Sequence, residues 1–288
     1  MSKYFIMNFY KFKKKILDSE NICTNFRDNG IITIRDLIET NIIQEIKEKI
    51  SEKFKDPEII SASDLQKAGI LKLIFNKKIR YLINLLISDG ILWHCYYLKT
   101  PSNNSKPHFN IQTKYGSWHR DRIIDYKHNR IDFLDIMIYL NDVDKDGGGF
   151  GFLPIRPDNS DEVDQANKSS KIIGNAGLGI LSRIDWWHTA TPNSGNQDRE
   201  MIRLSISKNM YYQTIHVSEE YTNLRNEFKD NDEFLFFLFG GNRKWYKNVQ
   251  QPKQKEIKNI NFEIPPLNYT FSKSYKYILK NKLKNILK

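Results

Sequence analysis

Cysteine is nearly absent. Cys23 and Cys95 are the two in the chain, and neither belongs to a CxxC pair. A disulfide framework is thereby excluded, and a reducing, cytoplasmic setting is expected. Long apolar runs are lacking too. The most apolar stretch, Phe234 to Phe239, falls far short of the roughly 18 to 20 residues needed to cross a bilayer. The N-terminal MSKYFIMNFYKFKKKIL is basic and aromatic, without the uninterrupted apolar core and small-residue cleavage site of a signal peptide. No DNA- or RNA-binding motif is visible. Histidine is scarce, six residues in 288, so each can be weighed singly.

What is present describes a globular chain: 40% hydrophobic and 13% aromatic residues, enough to bury a substantial core. The formal net charge is +11, which by itself would suit an anionic partner. The lysines, however, are spread along the chain together with isoleucine and asparagine, as a compositional bias would spread them. The C-terminal SYKYILKNKLKNILK is the exception. There Tyr275, Ile278, Leu279, Leu283, Ile286 and Leu287 recur at near-helical spacing between lysines. This reads as a terminal helix packed on its own domain, with peripheral membrane contact as the alternative.

Periodicity divides the chain. Leu37, Ile38, Ile42, Ile43, Ile46, Ile50 and Phe54 follow the spacing of one buried helix face, and a second helical stretch runs from about 77 to 88. Short strands follow, at 91–98, 108–114, 133–140, 150–153, 178–184 and 201–207, separated by turn residues. From about Tyr221 the chain turns helical again. The order predicts one domain spanning 1–288: a helical part to about 90, a β core to about 215 and a helical or irregular tail. The fold class is α+β with a mainly β core, a double-stranded β-helix (jelly-roll, cupin-like barrel) with flanking helices at both ends.

His119 and Asp121 are two apart at the end of a predicted strand, so both side chains reach one point on one face. A histidine from a neighbouring strand would complete a set of two imidazoles and one carboxylate. Such a set leaves coordination positions open, as suits non-haem Fe(II). His188 is placed for this, just past a predicted strand and before a Pro-Asn-Ser-Gly loop, with Arg199 eleven residues on.

The ordered combination WHRD (118–121), MIYLNDVDKDGGGFGFLP (137–154), His188, Asn193 and Arg199 resembles the phytanoyl-CoA dioxygenase-type Fe(II)/2-oxoglutarate oxygenases, over roughly residues 91 to 209. The resemblance implies Fe(II) on His119, Asp121 and His188, with 2-oxoglutarate and O2 as cosubstrates and succinate and CO2 as products. Arg199 matches the family's clamp for the remote carboxylate of 2-oxoglutarate; Arg203, four further along the same strand face, is the rival or a second contact. Asn110 and Gln112 match amides near the cosubstrate, and His108 shares their face. In related halogenases the Asp121 position is Gly or Ala, so its carboxylate implies hydroxylation or another oxidation and not halogenation; hydroxylation of a small molecule is the expected activity. Where the family commonly continues its proline with Gly-Ser-His, this chain has Ile155-Arg156-Pro157, and substrate identity does not transfer. Arg122, Lys127 and Arg130 hint at an anionic substrate. Two other readings remain: a non-oxidative metal-dependent isomerase or lyase of cupin type, and a basic module for membranes or nucleic acid. The first would not need Arg199, and the second would leave the triad unexplained.

Overall fold

Helix α1 (Ser19–Asn29) runs into Gly30, which takes φ +69°, a left-handed conformation that glycine adopts at no steric cost. The bare Cα lies against the indole of Trp186, where a Cβ would come within 2.3 Å of the ring. Strand β1 (Ile31–Ile34) follows directly. The computed structural model describes residues 19–104, 118–121, 131–153, 170–208, 219–241 and 262–263.

The helical periodicity emerges as α2 (Thr40–Lys53), which buries Ile43, Ile46 and Ile50. Short helices α3 (Ala62–Lys67) and α4 (Ile70–Ile74) lead to α5 (Lys77–Ile87). Ser61 caps α3 through Asp64 N, and Asn76 caps α5 through Ile79 N at 3.0 Å; each satisfies a free amide of the first turn. After the β region come α6 (Glu219–Phe228) and α7 (Glu233–Leu238). Asp232 caps α7 and pairs with both terminal nitrogens of Arg80 at 2.8 and 2.5 Å, fastening α7 to α5.

The remaining strands are β2 (Ile59–Ile60), β3 (Gly90–Thr100), β4 (Phe133–Tyr139), β5 (Phe150–Phe152), β6 (Ser170–Ile172), β7 (Gly179–Ser182), β8 (His188–Ala190), β9 (Arg199–Lys208) and β10 (Phe262–Glu263). They form a seven-stranded sheet in the order β10-β1-β7-β4-β9-β3-β2 and a three-stranded sheet in the order β6-β5-β8. Each pairing between these strands is antiparallel.

Two cores explain the strand sequences. Leu134, Ile136 and Ile138 of β4, with Leu204 and Ile206 of β9, pack under the helices. Met137, Tyr139 and Met201 point the other way and meet Phe150, Phe152 and Ile172 of the smaller sheet. A strand covered on both faces needs apolar residues at successive positions, which is why FLDIMIYL hardly alternates. In β3 the register with β9 shifts between Leu92 and His94. The extra residue reverses the alternation. Leu92, Cys95 and Tyr97 therefore all join the helix-side core, while His94, Tyr96 and Leu98 share the opposite face.

The N-terminal part is thus not purely helical. β1 lies inside the large sheet, between β10 and β7, and β2 forms its far edge. Four apolar residues, IITI, carry no alternation because both faces are covered: Ile32 and Ile34 in the helix-side core, Ile31 between the sheets. The tail likewise contributes β10. The expected 108–114 strand and the basic C-terminal helix lie outside the described residues. No helix among the described residues is long and apolar enough to cross a membrane.

Candidate active site

His119 and His188 face each other across an antiparallel bridge. Each backbone N–H donates to the other's carbonyl at 3.0 Å. Directly opposed residues carry their side chains to the same side, and the two rings lie 4.5 Å apart, centroid to centroid. Asp121 N–H donates to Ile184 O at 2.9 Å, which brings the carboxylate to the same place. Asp121 Oδ1 is 3.3 Å from His119 Nε2 and 3.4 Å from His188 Nε2. The three ligand atoms lie within 4.8 Å of one another, and the group could hold a metal ion.

The protonation pattern fits a cation. His188 Nδ1 lies 2.9 Å from the carbonyl of Trp186, which can only accept, so Nδ1 bears the proton. In the neutral ring the Nε2 lone pair then points at a carboxylate oxygen. Without a proton or a metal between them that contact is repulsive; with a metal it is a ligand set held from behind. Phe150 stacks on the His188 ring at 5.7 Å and fixes its plane. On the other side of the motif, Trp118 packs with Leu153 and Trp187, and Arg120 sits 5.0 Å over the Trp187 ring, as their alternation with His119 and Asp121 predicts.

The two arginines of β9 have different surroundings. Arg203 donates from Nε to Asp135 Oδ2 at 2.6 Å, from Nη2 to Asp121 Oδ2 at 2.8 Å and from Nη1 to the Tyr96 hydroxyl at 3.3 Å. Burial opposes its charge, but Asp135, Tyr96 and Asp121 outweigh burial and raise its pKa. Burial likewise pushes Asp121 up, yet the two imidazoles that face it and the Arg203 guanidinium hold its carboxyl far below the usual range. Arg203 thus holds one oxygen of Asp121 while the other faces the histidines. Arg199 is 3% exposed and has no carboxylate within ion-pair distance among the described residues. It donates to the Gly148 carbonyl and, at 2.8 Å, to Thr100 Oγ1, and its Nε meets no partner. Burial pulls its pKa below the ordinary arginine value.

Asn193 builds the wall around Arg199. Its amide donates to Thr100 O at 3.1 Å and Gln197 O at 2.8 Å, and its backbone bridges Asn104 and Gly147. Gly148, at φ +72°, lies so close that a Cβ would come within 2.9 Å of the Asn193 Cβ. The Gly-rich segment is there to let two loops touch.

Solved structures share this architecture, although no family model and no curated protein matches the chain. The non-heme alpha ketoglutarate dependent epimerase SnoN from nogalamycin biosynthesis is 14% identical, with a TM-score of 0.50 over 66% of this chain and 82% of that one. AviO1 from Streptomyces viridochromogenes Tue57 is 13% identical, with a TM-score of 0.53 over 68% of this chain and 97% of that one. EvdMO1 is 15% identical, with a TM-score of 0.51 over 66% of this chain and 50% of that one. The likeness is one of fold.

Of the residues singled out in the sequence, the structure brings His119, Asp121 and His188 together, sets Arg203 against Asp121, and places Arg199 at the start of β9. Asn110, Gln112, His108, Arg122, Lys127, Arg130 and the 155–157 segment lie outside the described residues. Sequence reasoning missed Asp135 and Tyr96, the partners of Arg203. Asp135 did leave a signal: it is the single charge in FLDIMIYL, where both strand faces are buried.

Proposed function

We propose that the chain is a non-haem Fe(II)/2-oxoglutarate-dependent oxygenase of the phytanoyl-CoA dioxygenase type that hydroxylates a small molecule. Its two sheets are then the halves of one double-stranded β-helix, and the whole chain serves one domain. The convergence of three ligand atoms on one point, with His188 held in the metal-binding tautomer, carries this reading. The donor set of two imidazoles and one carboxylate fits Fe(II) and leaves room for a chelating cosubstrate. The buried Nε of Arg199, without a partner, fits the remote carboxylate of 2-oxoglutarate.

When bound, iron and 2-oxoglutarate supply an O2-dependent oxidation that releases succinate and CO2. The chain supplies the frame. Trp186 O keeps the His188 proton on Nδ1, and Arg203 fixes Asp121 so that Oδ1 stays turned to the histidines. Arg199, buried as it is, would hold the far carboxylate, where charge-assisted hydrogen bonds are strong. With a metal bound, the Asp121 carboxylate would be a ligand where the related halogenases have Gly or Ala, which favours hydroxylation over halogenation. On this shared fold SnoN is described as an epimerase, so the outcome follows from Asp121 and the pocket, not from the architecture.

Anaerobic calorimetric titration with Fe(II) or Mn(II) tests the reading. His119→Ala, Asp121→Ala and His188→Ala should each abolish metal binding while far-UV circular dichroism stays unchanged. Unchanged metal affinity in all three sinks the assignment. Metal binding without 2-oxoglutarate binding would point instead to a non-oxidative isomerase or lyase.

A further inference from the structure

Two carboxylates share the Arg203 guanidinium, and one of them, Asp135, lies outside the ligand set. Asp121 Oδ2 accepts from Nη2 at 2.8 Å, Asp135 Oδ2 accepts from Nε at 2.6 Å, and the Tyr96 hydroxyl accepts from Nη1 at 3.3 Å. Asp135 reaches Arg203 along a diagonal of the sheet. On β4 the residue directly across from Arg203 is Met137, and Asp135 stands two residues away on the same face, within reach of a long side chain. Directly across from Asp135 is Ser205 of β9, whose hydroxyl hydrogen-bonds to its carboxylate. The guanidinium is therefore held on all three nitrogens. The chain of contacts from Ser205 through Asp135 and Arg203 to Asp121 ends where the two imidazoles meet.

Asp121 alone would balance Arg203. Asp135, 1% exposed, adds a second carboxylate, and with neutral imidazoles one negative charge is left in excess. Such an excess is costly where water is excluded. The cost shows at Asp135 itself: burial raises its pKa and Asp121 raises it further, against the pull of Arg203 and Ser205. A divalent cation changes the sum. Once Asp121 Oδ1 is a ligand, a single negative charge lies between a dication and a guanidinium that repel each other. We propose, on the oxygenase reading above, that Asp135 is a positioning residue for the metal: its charge keeps Arg203 on Asp121 Oδ2 when the cation binds, so that Asp121 offers the cation Oδ1 alone. Asp135 is no ligand, and acts through Arg203 as the outer partners of metal ligands do.

Anaerobic titration of the full chain with Co(II), followed by its visible d–d spectrum, tests this. Asp135→Asn keeps the size of the side chain and can still accept from Arg203, but removes the charge. It should weaken Co(II) binding by about 10- to 100-fold. It should also alter the d–d band, because Asp121 is then free to turn its second oxygen to the metal. The metal-free variant should melt at or above the wild-type temperature, whereas a merely structural Asp135 would lower the melting temperature and leave affinity and spectrum alone. In an Arg203→Met background, Asp135→Asn should change neither affinity nor spectrum further, because its route to Asp121 is gone. Ser205→Ala leaves the charge in place and should shift the band the same way at lower amplitude; it serves if Asp135→Asn does not fold. Wild-type affinity and spectrum in Asp135→Asn, or a wild-type spectrum in Ser205→Ala where that is the variant that folds, overturn the proposal. So does an equal effect of Asp135→Asn with and without Arg203. A wild type that binds no Co(II) overturns the oxygenase reading together with the proposal; the other adverse results overturn the proposal alone.

Discussion

Replacing Arg199 with methionine separates its structural from its functional role. The side chain makes two hydrogen bonds, to Gly148 O and Thr100 Oγ1. Each contributes about 0.5 to 1.5 kcal/mol net. Against their loss stands the relief of burying a charge with no carboxylate beside it, a cost of comparable or larger size. Arg199→Met should therefore melt close to wild type when no ligand is present. Cosubstrate binding is another matter, because a buried charge-assisted pair that loses one partner forfeits about 3 to 5 kcal/mol. At about 1.4 kcal/mol per decade, 2-oxoglutarate affinity should fall by roughly two to three and a half orders of magnitude. Thermal melts with Mn(II) read this directly. At a 2-oxoglutarate concentration of about 100 Kd the wild type gains about 2.7 kcal/mol, whereas a variant bound a hundredfold more weakly gains about 0.4 kcal/mol at the same concentration. The reasoning is refuted if Arg199→Met keeps the full cosubstrate shift while Arg203→Met loses it; the two arginines would then exchange roles.

Other outcomes follow from the same contacts. Tyr221→Phe removes the hydroxyl that accepts from Cys95 N–H at 2.7 Å, leaving a buried amide unpaired, and denaturant melts should show a loss of roughly 1 to 3 kcal/mol. Asp232→Asn breaks the paired contact with Arg80, whose partners are each about one-quarter exposed, and should cost roughly 1 to 3 kcal/mol, between an exposed and a buried pair. Burial raises the Asp232 pKa, but Arg80 and the α7 amides outweigh it, so the folded value lies below the ordinary one. The unfolded chain therefore binds the proton more readily, and the pair's contribution is complete above an unfolded pKa of about 3.9 and fades as pH falls through the folded value. The stability gap between wild type and Asp232→Asn should accordingly shrink in acid below about pH 4; a gap that grows there would mean the pair is not what stabilises this corner.

The local parts of the fold were legible because their signals are local. The helix faces of α2 and α5 repeat over several turns, and the strand at 133–140 is long and unmistakably apolar. The clustering of His119, Asp121 and His188 was legible through the two-residue spacing of the first pair taken with the ordered segments that follow it, up to His188 and Arg199. Other features depend on distant chain. IITI becomes a strand because β7 and β10 flank it, and nothing within those four residues distinguishes them from the isoleucines around them. The register shift at Trp93 leaves no mark in ILWHCYYL, yet it decides which aromatic residues face the site. Arg199 and Arg203 look equivalent in sequence. Only the placement of Asp135 and Asp121 shows that one guanidinium is neutralised and the other is not.

The contact between Gly30 and Trp186 gives the first ninety residues a stake in the candidate site. The indole rests where a side chain would be, the Gly30 carbonyl accepts from Arg183 N–H at 2.9 Å, and the Trp186 carbonyl in turn sets the tautomer of His188. A fragment excised from residue 91 onward would keep His119, Asp121 and His188 and lose the wall behind the strand that aims His188. It would also expose the backbone edge of β7 that β1 now covers, an invitation to strand-to-strand aggregation. The smallest unit that keeps the candidate site intact therefore begins upstream of α1's end, well before His119.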